Sequence, residues 1–134
     1  MRKNLDEFLE TMKKKYNNQI KIEKLNAINE TQIEIPEALM ELYSNIKHIQ
    51  FPFGEIYTKE VAIKQSSQRP FFNKWFVFGW DGYFTYWLCS YKKSEEGFSF
   101  TYWDHESGND IEEPVWENLC EFLEDIEEEY QDSL

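Results

Sequence analysis

Apolar residues recur along this chain with two different periods, and the switch between them divides it into elements. Leu5, Phe8, Leu9, Met12 and Tyr16 fall at three- and four-residue spacing, which predicts a helix over Asn4 to Tyr16 with one apolar stripe. Asn4 followed by Glu7 predicts an N-terminal cap of the capping-box kind, and Lys13 to Lys15 place cations where the helix dipole favours them. Ile20 to Glu23 alternates, as a short strand or an extended linker would, and residues 26–34 carry no clear period. Pro36 suits the first turn of a second helix, with Leu39, Leu42, Tyr43 and Ile46 as its stripe and an end near Asn45 to Lys47. His48 follows in a loop or extended segment.

From there the period shortens. Glu55 to Tyr57 and Val61 to Ile63 are short β-prone runs, and Gln65 to Pro70 is a polar loop. Trp75 to Gly79, Tyr83 to Tyr91 and Phe98 to Trp103 predict three consecutive strands, turned by Asp81-Gly82 and by the polar stretch Lys92 to Gly97. Short connections between successive strands imply an antiparallel meander. A last helix is predicted over Pro114 to Tyr130. Trp116, Leu119, Cys120, Leu123, Ile126 and Tyr130 form its apolar face, opposite Glu117, Glu121, Glu124, Asp125 and Glu128. The fold class expected is therefore α+β, a mostly antiparallel sheet of about four to six strands with N-terminal and C-terminal helices packed on it. A chain of 134 residues is about one domain, so residues 1–134 are taken as one unit.

Charge changes the picture in one place. The net charge is −12, and residues 104–134 hold 13 Asp and Glu with no Lys or Arg, while the rest of the chain is near neutral. Such a surface would repel nucleic-acid phosphates and attract a basic partner. A solvated helix face that only aids solubility has the same composition. Glu127, Glu128 and Glu129 stand at a helix C-terminus, where negative charge is unfavourable, so the acidic end is expected to serve more than helix stability.

Chemistry is harder to find. Cys89 and Cys120 lie in apolar-patterned stretches and are expected to be buried thiols. No pattern pairs either cysteine, or any serine, with His48 or His105 as nucleophile and base. Asp104-His105-Glu106 cannot converge on one ion if it continues a strand, because adjacent side chains point to opposite faces. His105 is expected to end a strand with a hydrogen-bond partner. No phosphate-cradling glycine motif is present. The expectations are thus no enzyme, no cofactor and no metal. The opening residues lack the apolar core of a secretory signal, no stretch approaches a membrane span, and a cytoplasmic location is expected.

Four motifs in order carry a resemblance: I-P-E-A-L-x-x-L-Y at 35–43, W-F-V-F-G-W-D-G at 75–82, Y-W-D-H-E at 102–106, and the final acidic helix. Together, over roughly residues 30–130, the layout resembles the SUKH superfamily, the group named for yeast cell-wall regulators of the Smi/Knr type. It departs from that pattern after the second helix, at Asn45-Ile46-Lys47, and after the central turn, at Tyr83-Phe84-Thr85. The resemblance implies helices on one side of a mostly antiparallel sheet and no enzymatic activity. In bacteria it implies an immunity protein, an antitoxin that neutralises a cognate toxin, often a nuclease, in polymorphic toxin systems. The partner would then be a basic toxin protein, with no direct contact to nucleic acid or membrane and a monomeric or weakly dimeric state. Candidate protein-binding residues are Trp80 and Asp81 at the turn with Glu121, Glu124, Asp125 and Glu128 on the last helix. Two other readings stand beside it: a regulatory or scaffold domain with an endogenous protein partner, and a small enzyme or ligand binder marked by a deep pocket.

Overall fold

Local signals set the helix ends where the chain supplies caps. In the computed structural model, which describes residues 4–25, 35–72, 74–108 and 110–134, helix α1 spans Leu5–Tyr16. The Asn4 side chain accepts the Glu7 amide at 2.8 Å, as the capping pattern predicts, and Leu5, Phe8, Leu9 and Met12 are buried. The second helix begins at Pro36 with a single 3₁₀ turn, Glu37–Leu39, before helix α2, Met40–Asn45. The sequence expectation 26–34 lies outside the described residues.

The sheet has six strands: β1 Lys21–Lys24, β2 Ile46–Phe51, β3 Gly54–Ile56, β4 Trp75–Trp80, β5 Thr85–Ser90 and β6 Phe100–Asp104. They lie side by side in chain order, and every neighbouring pair is antiparallel. The α+β reading holds, with α1 and the C-terminal helix packed on the sheet.

The second helix ends at Asn45, inside the expected window, and the extended segment after it is β2, whose Ile46, Ile49 and Phe51 are buried. Three sequence expectations are corrected. Ile46 belongs to that strand and not to the stripe of the second helix. Val61 to Ile63 is not β but lies in helix α3, Lys59–Ser66, because Thr58 accepts the Val61 amide and starts a helix despite β-branched residues. The last helix, α4, is Leu119–Asp132 and does not begin at Pro114. Asn118 is its cap, accepting the Glu121 amide at 2.8 Å. The stretch before it runs extended along β6, where Phe100 and Trp116 exchange backbone hydrogen bonds.

Strand alternation sorts the side chains into two faces. Trp87 and Phe100 sit with Phe78 and Phe122 on the face that α4 covers, and α1 joins it through Phe8 on Phe51. Tyr86 points the other way, stacked between Trp80 and Trp103, with Phe71 edge-on. α3 meets the sheet at an edge. β3 pairs with only the last residues of β4, and further back the Val77 amide is taken by the Ser66 hydroxyl at the end of α3.

Glycine makes room for the largest buried ring. Gly79 lies directly across from Trp87, and a Cβ there would stand 2.3 Å from Glu55 O and 2.6 Å from Trp87 Cε3. Gly54, at φ +149°, is equally close to Trp80 O and the Trp87 ring. The indole therefore lies flat on the backbone of β3 and β4.

Candidate functional site

α4 separates its acids by face. Glu121, Glu124, Asp125 and Glu128 recur at helical spacing on its outer side, and Glu121, Asp125 and Glu128 are exposed. Asp125 is also structural: its Oδ2 accepts the Trp116 indole N–H, holding that ring over Phe122 and Tyr102. Glu127 faces inward and is 7% exposed. It accepts the Tyr16 hydroxyl at 2.7 Å and lies 2.6 Å from Lys15 Nζ, while Gln131 Nε2 donates to the Tyr16 oxygen at 2.7 Å. Burial, reinforced by the nearby Glu127 carboxylate, pushes the Tyr16 hydroxyl up to about 12. Of the three acids near the helix C-terminus, Glu127 thus ties α1 to α4, a role in tertiary packing and not in the stability of its own helix.

The two turn residues do not join the acidic row. Trp80 is half-buried on the face away from α4, where its indole N–H donates to Glu55 Oε1 at 3.0 Å. The other Glu55 oxygen lies 2.9 Å from His48 Nε2. Asp81 Oδ1 accepts the amides of Tyr83, Phe84 and Thr85 at 2.8–3.1 Å and so builds the β4–β5 turn. The six candidate residues do not form one continuous surface. Four share the outer face of α4, Trp80 lies across the sheet from them, and Asp81 sits at the sheet's end.

That end holds a pocket the sequence reading did not find. A cavity of about 430 Å³ is lined by Pro52, Phe53, Asp81, Tyr83, Thr85, Trp87 and Tyr102 from the sheet and its turns, and by Ile126, Glu129, Tyr130 and Ser133 from α4. This volume is in the range of small-ligand sites. Phe53 packs on both Trp87 and Tyr130. Tyr83 and Tyr102 remain 76% and 40% exposed. Burial, together with the negative charge of Glu129 and Glu112, raises the Tyr102 hydroxyl above its usual range. Trp87 is fully buried, yet its Nε1 has no acceptor among the described residues. An unmet buried donor costs about 1–3 kcal/mol. Two stretches trace this pocket: Asp81 and Tyr83 in the turn run on to Thr85 and Trp87, which alternate along β5, and Ile126, Glu129 and Tyr130 lie on α4 with Ser133 as its cap. Nothing in either stretch alone says that they meet.

The groups considered for chemistry have structural partners. The His105 amide donates to Phe84 O, His105 Nδ1 lies 3.1 Å from the same oxygen, and the Asp104 side chain caps the Glu106 amide in a 3₁₀ turn beyond β6. Cys89 and Cys120 are both buried, and burial pushes the Cys89 thiol up to about 12, away from a nucleophilic thiolate. Among the described residues no three His, Cys, Asp or Glu side chains form a metal-binding group, and no helix is long and apolar enough to cross a membrane. Compared with known proteins, the chain matches no family model, no curated protein and no solved structure.

Proposed function

We propose that this chain is a non-catalytic protein-binding domain, an immunity protein of SUKH type that acts in the cytoplasm by neutralising a basic cognate toxin such as a nuclease. The observation that carries the reading is the row of Glu121, Glu124, Asp125 and Glu128 on the outer face of α4, in a segment without a single cation. A toxin that grips nucleic acid needs a basic cleft, and an acidic row of this length complements one in charge. The motif order of the sequence supports the same reading. The partner is sought in the protein encoded beside this one. Co-expression with that protein is expected to restore growth, and the two are expected to co-purify through an association that slows steeply as salt rises. Continued cell death with no co-purification overturns the proposal.

A further inference from the structure

The pocket at the end of the sheet combines two features that a single kind of side chain answers. Its aromatic walls include Phe53, Tyr102 and Tyr130, and two carboxylates, Asp81 and Glu129, stand on opposite elements around it. Trp87, fully buried, also lines it. An alkylammonium or guanidinium group is attracted both to ring faces and to carboxylates. A guanidinium does this best, being planar, weakly hydrated and able to stack while it hydrogen-bonds. A free metal ion would use the carboxylates but leave the rings unanswered. An apolar ligand would leave the carboxylates without a counter-charge.

We propose that this pocket is the anchor site for an arginine of the partner protein, with the guanidinium held among the aromatic rings beside Asp81 and Glu129. The inference rests on the reading of the chain as a binder of a basic protein. It adds a specific contact to the diffuse attraction of the acidic row. An arginine seated in a desolvated aromatic pocket is a common form of interface hot spot.

The test uses the full chain with ¹⁵N-labelled tryptophan and Nα-acetyl-L-arginine methylamide as the probe. The Trp87 indole N–H resonance is expected to shift saturably. Its uncharged isostere, the citrulline derivative, is expected to bind about fivefold or more weakly. Glu129→Gln and Asp81→Asn are each expected to weaken the arginine probe to a similar degree. Asparagine keeps an oxygen for the three turn amides, so Asp81→Asn is expected to leave the other indole resonances in place. No saturable shift, or equal binding of the citrulline derivative, overturns the inference. So does an unchanged affinity of the cognate complex in Glu129→Gln, and in that case the protein-binding reading survives. If the probe saturates the pocket while the neighbouring gene's product fails to bind, the pocket stands and the proposed function falls.

Discussion

Glu127 and Glu128 are consecutive residues of one helix with opposite employment. The first is buried, bonded to Tyr16 and close to Lys15. The second points to solvent from a helix end where its charge is unfavourable. The comparison extends to the whole element: the inner side of α4 spends an acid to fasten α1, and the outer side carries Glu121, Asp125 and Glu128 exposed. Acidic composition alone therefore says little. An acid whose neighbours are protein groups contributes to stability, and one that faces water is available to another molecule.

Removing the inner acid tests the stronger half of that contrast. Glu127→Ala leaves the Tyr16 hydroxyl and Lys15 without their acceptor, and a loss of about 2 kcal/mol is expected in denaturant unfolding. A change of only a few tenths would mean that the α1–α4 tie is ornamental.

The same tie carries a pH signature. The Tyr16 hydroxyl titrates at about 12 in the folded chain against 10 for an ordinary tyrosine, so the unfolded chain loses this proton first. The stability this contributes is fully present below pH 10 and is lost as pH rises toward 12. The midpoint of urea unfolding is expected to fall over that window, and less steeply in Tyr16→Phe. A slope unchanged by that substitution would assign the fall to other groups, of which buried Tyr43 and Tyr57 are also shifted upward.

Substitution on the outer side is expected to have the smallest effect on the fold. Glu121→Gln and Glu128→Gln should each change stability by less than about 0.5 kcal/mol. Glu128→Lys should raise it slightly, by about 0.3 kcal/mol, because a cation suits that helix end. The same changes are expected to slow association with a basic partner. If they destabilise the fold as much as Glu127→Ala, the division between inner and outer acids fails.

The amino-acid sequence by itself determined the elements with clear periods and good caps. Asn4 and the stripe through Met12 specify α1, and the aromatic runs specify β4, β5 and β6, because local hydrogen bonding and amphipathic spacing decide those states. It also determined where the acidity lies. Sequence period misled where two local preferences competed. Val61 and Ile63 favour β, but the Thr58 cap and the need to seat Ser66 against the open edge of β4 made that stretch helical. Pro114 suits a helix start, yet backbone pairing with Phe100 kept its neighbours extended until Asn118 offered a better cap. Only the tertiary structure decided which side of each element meets another. It set Trp80 across the sheet from the acidic row, turned Glu127 inward, and brought Asp81 and Trp87 together with Glu129 around one cavity. Periodicity says that residues share a face. What that face meets depends on contacts distant in the chain, and no local spacing records them.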